Sequence, residues 1–330
     1  MRKCRWSVVP ALYPTVMVIA AALAAPTPGR AQDYPEHGVR IIVPTAAGGS
    51  IDATARIVAG KLTALWGRPV VIENRPGANM IIGAEAAARA APDGYTLLIA
   101  HDGTMAMNPV VYRNLSYYPQ RDFEPVALLT SIPEALLVHE ALPARSVGEL
   151  IALARERPGK LNHATGGTAT LLALELFKAM AGIDVTSVPF RGGAPAVTAV
   201  MAGEVEMIFA DLATAHAGMA SGRLRTLAVT TRERVPRLPD VPTMHESGVP
   251  GYDVATWIAA FAPAGTPPAI VSEIGAGMWR ALAAPDVRER LEALNMQVRG
   301  GSGEELRALL AADIAKWDRL VKERNIRIAQ

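Results

Sequence analysis

Three Gly-Gly pairs in this chain each follow a short apolar run and precede a helical pattern; the pairs are Gly48-Gly49, Gly166-Gly167 and Gly192-Gly193. The first helix is expected to begin near Ile51 and the second near Ala169, and the third is expected to run to about Met201. The first N–H groups of a helix have no intrahelical partner and carry a partial positive charge, and glycine lets a ligand approach the backbone closely. The spacing therefore predicts a pocket for an anion, with a carboxylate as the expected group.

Each of these glycine pairs also has a simpler interpretation as a tight turn from strand to helix. Pro195, near the first helical position, already accounts for a turn after the third pair. Ser50 and Thr168 follow the first two pairs and are expected to be N-cap residues, whose hydroxyls accept from N–H groups two or three positions on. The same hydroxyls are candidates to donate to a ligand oxygen.

Two further polar residues are candidates for the same pocket. Asp52 lies in the first helical turn, where a carboxylate favours the positive helix end; the alternative is that it orients a water or meets an amine or hydroxyl. His101 ends an apolar run of strand length, and strand ends are where open α/β sheets bind ligands. A polar loop position is the alternative for His101.

The sequence lacks motifs for nucleotide cofactors, metal binding and nucleophilic catalysis. The glycines do not form Gly-x-Gly-x-x-Gly or the phosphate loop ending in Gly-Lys-Ser/Thr, so dinucleotide or triphosphate cofactors are not predicted. The six histidines show no metal-ligand spacing, and no Gly-x-Ser-x-Gly elbow with a triad is present. We therefore predict no metal, no cofactor and no catalytic residue.

The first 31 residues have the pattern of a secretory signal peptide. Basic residues open the chain, an apolar stretch is richest over 16–25, and Gly29-Arg30-Ala31 precedes Gln32. A membrane anchor is the alternative, but Pro10 and Pro14 interrupt the segment and its clean run is shorter than the ~20 residues that a span needs. We expect cleavage after Ala31.

The charge and cysteine content of the expected mature chain limit its possible partners and chemistry. Removing residues 1–31 takes away four basic residues and no acidic ones, which leaves 29 basic and 31 acidic residues of the original 33 and 31. With no basic patch, nucleic acid is not an expected partner. The single cysteine, Cys4, lies in the discarded segment, so neither a disulfide nor a thiol nucleophile is expected. An exported soluble monomer is predicted.

Strand-like and helix-like patterns alternate along the chain, which favours an α/β fold with a largely parallel sheet. Strands are expected at 39–43, 69–73, 96–100, 126–130, 135–139, 185–189, 205–209, 225–230 and 254–262. The segments 123–130 and 252–263 look like crossings between domains. We therefore predict two lobes with a ligand cleft between them and crossing strands as a hinge: residues 32–130 plus 254–330 form lobe 1, and residues 131–253 form lobe 2.

Seven motifs in fixed order resemble the Bug, or TctC-like, receptors, which are periplasmic solute-binding proteins of tripartite tricarboxylate transporters. They are PTAAGGSIDATAR (44–56), ENRPGA (73–78), PDGYTLL (92–98), DFEPV (122–126), PFRGGAP (189–195), SGRLRTLAVT (221–230) and APAGTP (262–267). The resemblance covers roughly residues 34–325. It implies a two-lobed periplasmic-binding fold that closes on a small organic acid, with the membrane subunits of such a transporter as partners.

The resemblance also implies which residues bind the ligand. In the family the first loop presents backbone N–H groups to a carboxylate, partly through waters, and the second lobe supplies a comparable loop. The matching positions here are Ala46, Ala47, Gly48, Gly49 and Asp52, and then Thr165, Gly166, Gly167 and Thr168. Similar sequences often carry Asp at Ala210, whereas here Asp211 follows one place later, and they often carry His at Leu171 and Gly-Gly at Asn79-Met80. These departures bear on the identity of the ligand.

Two other functions remain open from the sequence. A sensing receptor with the same pocket would have a regulatory membrane partner, and sequence does not separate it from a transport receptor. An exported enzyme on the same fold would need a base and a nucleophile within reach, and no such set is identified.

Overall fold

The computed structural model describes residues 34–323, together with Met1 and Lys3. The expected signal peptide therefore lies outside the described residues, apart from those two positions. The strands are β1 (Val39–Val43), β2 (Val70–Asn74), β3 (Thr96–His101), β4 (Phe123–His139), β5 (Asn162–Thr165), β6 (Thr186–Pro189), β7 (Met207–Asp211), β8 (Leu224–Val229), β9 (Ala255–Pro263) and β10 (Gln297–Ser302).

The helices alternate with these strands through most of the described chain. They are α1 (Ser50–Trp66), α2 (Ile81–Ala88), α3 (Asn108–Val111), α4 (Pro119–Asp122), α5 (Val147–Glu156), α6 (Thr168–Ala181), α7 (Gly193–Met201), α8 (Leu212–Ala220), α9 (Pro268–Ala283), α10 (Pro285–Ala293) and α11 (Gly303–Glu323). A π-helical turn, Gly103–Met107, directly precedes α3. None of the helices in the described part of the chain is both long and apolar enough to cross a membrane.

The strands are hydrogen-bonded in the order β2-β1-β3-β9-β4-β7-β5-β6, with β10 and β8 also paired to β4. Parallel pairs occur within each lobe, as β1 with β2 and β3, and β5 with β6 and β7. All pairs that involve β4 or β9 are antiparallel. The expectation of a largely parallel sheet is therefore wrong, because these antiparallel pairs outnumber the parallel pairs of the two lobes. The chain leaves the first lobe along β4 and returns along β9, and two neighbouring strands that run in opposite directions must pair antiparallel.

The two runs expected as separate strands, 126–130 and 135–139, form one continuous strand. β4 pairs with β9 from Phe123 to Pro133, and from Glu134 onward it pairs with β7. One strand thus belongs to both lobes, and the change of partner marks the hinge. The α/β fold in two lobes with crossing strands is confirmed, whereas the residue boundaries of the lobes stay a prediction.

Each lobe is a sheet with helices on both faces. In β1, Ile41 contacts the apolar cluster under α1 and α9, while Ile42 contacts the cluster on the opposite face, under α2 and α11. In the second lobe, Leu136 and Leu137 of β4 are divided between two clusters in the same way. This alternation follows from the two-residue repeat of a strand, and it explains why the strands read as continuous apolar runs.

The last helix joins the two lobes. Leu306 and Leu310 of α11 pack into a first-lobe cluster, and Trp317, two turns later, packs into a second-lobe cluster with Leu136 and Phe177. The indole N–H of Trp257 also donates to Asp313 Oδ2 at 2.6 Å. α11 therefore follows both sheets and spans the hinge from outside.

The packing of α1 against α9 generates a first prediction, a matched pair of glycine substitutions. A Cβ at Gly277 would lie 2.7 Å from Trp66 Cζ2, whereas a Cβ at Gly60 would meet nothing within 4 Å. Gly277→Ala should lower stability by about 1–3 kcal/mol through overpacking. Gly60→Ala should raise it by about 0.5–1 kcal/mol, because alanine loses less backbone entropy in a helix. Thermal unfolding followed by circular dichroism measures both, and equal effects would contradict the packing described.

Candidate functional site

The three glycine loops meet at the carboxyl ends of the parallel strands, in the cleft between the lobes. A Cβ at Gly166 would lie 2.7 Å from the amide nitrogen of Gly193, and one at Gly192 would lie 3.5 Å from the amide nitrogen of Ala46. Gly48 and Gly192 have φ values of 94° and 124°, which side chains rarely adopt. The loops therefore approach one another so closely that a side chain at Gly166 would push them apart.

The loops enclose an inner cavity of about 40 Å³. It is lined by Thr45, Gly49, Ser50, Ile51, Met80, His101, Glu134, Gly166, Gly167, Ala169, Thr170, Gly193, Asp211, Thr214 and Thr256. A more open outer pocket of about 320 Å³ adjoins it and shares Met80 and Gly166 with it. Residues of the outer pocket include Asn79, Phe190, Arg191 and Gly192. The two spaces together form the candidate site.

The helices at these loops begin as expected, but their N-cap residues differ. Gly49 and Gly167 are the N-caps of α1 and α6, so the expectation that Ser50 and Thr168 cap their own helices is wrong. Because the caps lack side chains, both hydroxyls are free to bond across the cleft. Glycine at the cap also leaves room for a ligand beside the helix start.

Hydrogen bonds across the cleft fix the lobes in a closed arrangement. The Ser50 hydroxyl donates to Asp211 Oδ2 at 2.9 Å, and the Ser50 amide donates to Thr214 Oγ1 at 2.9 Å. Farther along, the Thr168 hydroxyl donates to Asn108 Oδ1. Each bond joins a residue of one lobe to a residue of the other. Ser50 thus connects the start of α1 to the start of α8.

Asp52 is buried and organises the first loop from behind. Its carboxylate accepts from the Gly48 amide at 3.0 Å, from Arg56 Nε at 2.9 Å and from Asn74 Nδ2 at 2.9 Å. Burial opposes ionisation of Asp52, but these hydrogen bonds outweigh it and lower the pKa of the carboxyl group. Both oxygens are engaged within the first lobe, so Asp52 holds the loop in shape and does not line the inner cavity.

His101 ends β3 and lines the inner cavity, as its position in the sequence indicates. Its Nδ1 accepts from the Thr104 amide at 3.2 Å. Burial lowers the pKa of His101 to about 4, so the ring is neutral near pH 7. With Nδ1 as the acceptor, the proton of the neutral ring belongs to Nε2. His101 therefore offers one N–H donor, without a net charge.

Glu134 stands at the hinge, where β4 changes its pairing partner. It is 2% exposed, and its Oε1 accepts from Thr256 Oγ1 at 2.8 Å. Its Oε2 is buried without a hydrogen-bond partner among the described residues. Burial raises the pKa of Glu134 to about 7, and the neighbouring charge of Asp211 adds to the shift.

Two more carboxyl groups surround this position. Asp211 caps α8 by accepting from the Thr214 amide at 2.7 Å, and burial raises its pKa despite that bond. Asp102 is buried beside Thr256, and burial together with the charge of Glu134 raises its pKa strongly. The inner cavity thus has helix starts on one side and buried acids at the hinge.

The structure brings together eight of the fourteen residues that the sequence indicated. Seven of them line the inner cavity: Gly49, Ser50, His101, Gly166, Gly167, Gly193 and Asp211. Gly192 lines the outer pocket. The other six line neither space: Asp52, Thr165 and Thr168 are buried, whereas Ala46 is half-buried and Ala47 and Gly48 are exposed. Their contacts with a ligand stay a prediction.

Sequence reasoning missed Glu134, Thr256 and Thr214. Glu134 had a detectable signal, because it is a lone acid between the two apolar runs of β4. Thr256 and Thr214 had none, since threonine is common in strands and at helix starts. Met80 stands where similar sequences often have glycine, and it lines both spaces. Among residues 34–323, no group of three or more His, Cys, Asp or Glu side chains is arranged to hold a metal ion.

Two α/β lobes on crossing strands, with a closed polar cavity between them, define a two-lobed solute-binding protein. Residues 54–326 match the family described as tripartite tricarboxylate transporter family receptor, TctC. The chain belongs to this family. Its members are periplasmic solute-binding receptors, which agrees with the fold and with the resemblance of its motifs.

Individual relatives match along almost their full length. The chain is 37% identical over 304 residues to a Pseudomonas sp. protein named UPF0065 protein in the tcbD-tcbE intergenic region, covering 91% of this chain and 90% of that protein. It is 32% identical over 316 residues to protein BugT of Bordetella pertussis, covering 95% and 96%.

Solved structures agree with the fold. A Rhodopseudomonas palustris protein with adipate has a TM-score of 0.86 and 35% identity, covering 89% of this chain and 99% of that one. MatC from the same organism, with bound malate, has a TM-score of 0.85 and 34% identity, covering 87% and 100%. The periplasmic binding protein BugD has a TM-score of 0.85 and 33% identity, covering 89% and 99%.

The bonds across the cleft generate a second prediction. Ser50→Ala removes one hydrogen bond between the lobes, while Thr214 still donates to Asp211. Loss of about 0.5–1.5 kcal/mol should reduce the ratio of closed to open protein by about 2- to 13-fold. Small-angle X-ray scattering of the ligand-free variant should show a larger radius of gyration. Ser221→Ala, which loses only a bond to Gly218 within the second lobe, is the control and should match the parent protein.

The buried acid at the hinge generates a third prediction. A carboxyl group whose pKa is raised on folding binds its proton more tightly in the folded state, so it costs stability as the pH rises from about 4.5 to about 7. The Glu134→Gln variant lacks this pH-dependent loss of stability, because glutamine does not ionise. Its stability relative to the parent should therefore increase through that window by roughly 1–3 kcal/mol, and then level off above pH 7.

Chemical denaturation of both ligand-free proteins from pH 4 to pH 8 measures this difference. Asp102, Asp211 and His101 remain in both proteins; because the charge of Glu134 raises the pKa of Asp102, the loss of that charge changes the stability difference in the same direction. A difference in stability that does not depend on pH would contradict the assigned environment of Glu134.

Proposed function

We propose that this receptor captures a small organic carboxylate in the periplasm and delivers it to the membrane subunits of a tripartite tricarboxylate transporter. The observation that carries the proposal is the convergence of three helix starts from both lobes on one closed cavity. The partial positive charge of a helix start and its outward N–H groups suit a carboxylate.

The amides at these helix starts support the proposal. In the described part of the chain, the N–H groups of Gly49 and Gly167 have no hydrogen-bond partner, and both residues line the inner cavity. Gly193 begins α7 beside them. The neutral His101 ring would add one N–H donor. Because these donors come from both lobes, an anion among them would favour closure.

The outer pocket supports a ligand longer than the inner cavity alone would hold. Adipate and malate, bound by two structural relatives, each carry two carboxylates. Arg191 lines the outer pocket and forms no ion pair within residues 34–323. A second carboxylate in that pocket would find this guanidinium nearby. The side chain of Met80 lines both spaces and would contact a ligand that extends from one to the other.

Export and partnership follow from the family and from the N-terminal pattern. We propose that a signal peptide is removed after Ala31, so that the protein acts as a monomer in the periplasm. Mass determination of protein recovered from that compartment tests the cleavage site, because the mature chain would begin at Gln32. Co-purification with the membrane subunits tests the partnership.

The packing of the glycine loops generates a fourth prediction. A methyl group at residue 166 would collide with the backbone of Gly193 in the same lobe, so Gly166→Ala should push apart the two loops that carry the second-lobe amides. Affinity for carboxylates should fall at least about tenfold, since binding requires the amides of both lobes together. Isothermal titration of the mature protein, after removal of copurified ligand, against malate, adipate and propionate measures the loss.

Gly148→Ala is the matched control in the same lobe. Its Cβ would lie 4.0 Å from the nearest atom, Ser146 Oγ, and it should leave binding unchanged. Circular dichroism should show that both variants are folded. If the parent protein binds no carboxylate, the proposed function is wrong; if Gly166→Ala binds as well as the parent, the role assigned to the packing of the second-lobe loops is wrong.

A further inference from the structure

The hinge end of the inner cavity presents a polar atom that carboxylate binding leaves unexplained. Glu134 Oε2 is buried, lines the cavity and has no hydrogen-bond partner within residues 34–323. A buried acceptor without a partner is costly, so such an atom in a native cavity indicates a missing donor. The hydroxyl of Thr45, in the first loop, is unpartnered in the same cavity. Unpartnered polar atoms thus lie at both the loop side and the hinge side of the cavity.

The position of Glu134 is fixed by its strand. Glu134 and Asp211 are directly paired residues of β4 and β7, so their side chains lie on the same face of the sheet. Thr256, from β9, donates to Oε1 at 2.8 Å and leaves Oε2 toward the cavity. The oxygens of Asp211 already accept from Ser50 and Thr214. Glu134 is therefore the carboxyl group with a free acceptor, and Asp211 adds negative potential beside it.

The charges around the cavity do not suit a ligand that is purely anionic. Two carboxyl groups line the inner cavity, no Lys or Arg side chain is among its lining residues, and the His101 ring is neutral. An anion closed in this space would be stabilised by the helix starts but repelled by Glu134 and Asp211 unless both stayed protonated. A positive group on the ligand removes the repulsion and supplies the missing donor.

We propose that Glu134 accepts a hydrogen bond from an ammonium group of the solute, so that the preferred ligand is a small amino acid bound with its carboxylate at the helix starts. This inference rests on the proposed carboxylate-binding function and names the substrate class for it. The inner cavity of about 40 Å³ keeps the ammonium and carboxylate groups close together, as they are in an α-amino acid. Thr45 then donates to the carboxylate.

Isosteric ligands test this assignment. Aspartate, malate and succinate share one four-carbon skeleton and differ in an ammonium, a hydroxyl or a hydrogen at one carbon; alanine, lactate and propionate form the three-carbon series. In titrations at pH 7, the amino acid of each series should bind at least about tenfold more tightly than its deamino counterpart, with the hydroxy acid between them.

Glu134→Gln should remove this preference. The variant should lose at least about tenfold in affinity for the amino acids, because its amide cannot neutralise an ammonium, and should bind succinate and propionate at least as well as the parent does. Glu140→Gln, just beyond the end of the same strand and outside the cavity, is the matched control and should leave all six affinities unchanged.

Proton counting supplies a second readout, obtained by titration in buffers of different ionisation enthalpy at pH 6. Because an ammonium favours the ionised form of Glu134, succinate should take up more protons on binding than aspartate does. The difference should disappear in Glu134→Gln. Asp102 and Asp211 also face this region, and their contributions are common to both proteins.

The outcomes separate the two proposals. If carboxylates bind without preference for the amino acid, or if succinate binds more tightly than aspartate, the ammonium assignment is wrong while the carboxylate function stands. The second result would instead identify Glu134 as a protonated donor to the ligand, a role that glutamine would keep. If none of the six acids binds the stripped parent protein, both proposals are wrong.

Discussion

The site depends on the close packing of the three glycine loops, both within the second lobe and across the cleft. A single methyl group at Gly166 would lie 2.7 Å from the amide nitrogen of Gly193, so these two second-lobe loops pack together only because glycine occupies the position. A Cβ at Gly192 would lie 3.5 Å from the amide nitrogen of Ala46, which places the first-lobe loop against the same pair. The starts of α1, α6 and α7 therefore meet at one cavity, beside the hydrogen bonds that cross the cleft.

The two sides of the site have opposite electrostatic potentials. Helix starts supply positive potential and N–H groups without using a charged side chain, and burial does not cost them what it costs an ion. The hinge supplies the opposite pole through Glu134 and Asp211, which face the cavity on neighbouring strands. Asp52 has a different role, because it is paired with Arg56 and holds the first loop. Three acids near one another thus serve distinct purposes that their hydrogen bonds determine.

The loops were predictable from the sequence because their signal is local. Each Gly-Gly pair lies between an apolar run and a helical period; α1 and α6 begin one residue before the expected positions, and α7 ends at Met201 as expected. The hinge was only partly predictable. Segments 126–130 and 135–139 were expected to be two strands because Glu134 interrupts the apolar pattern. A change of pairing partner along one strand produces no recognisable pattern in the local sequence. β10 has few apolar residues and was missed for a similar reason.

Long-range contacts explain the other differences. Ser50 and Thr168 are residue types that favour N-cap positions, but their hydroxyls bond across the cleft to Asp211 and Asn108, which are 161 and 60 positions away in the chain. No pattern along the chain reports such a partner. The antiparallel pairing of β4 with β9 also depends on where the chain returns between lobes. The crossing segments and the family resemblance both indicated the two-lobed fold, whereas the assignment of Glu134 required the geometry.

The central claim is that main-chain amides from both lobes hold the carboxylate of the solute together. It is tested most directly by nuclear magnetic resonance of the ¹⁵N-labelled mature protein during titration with the tightest-binding acid. The account predicts that the amide protons of Gly49, Gly167 and Gly193 shift downfield together and saturate at the stoichiometry found by calorimetry, while that of Gly60 stays in place. Saturation of binding with these three amides unmoved, or with those of only one lobe moved, would contradict it.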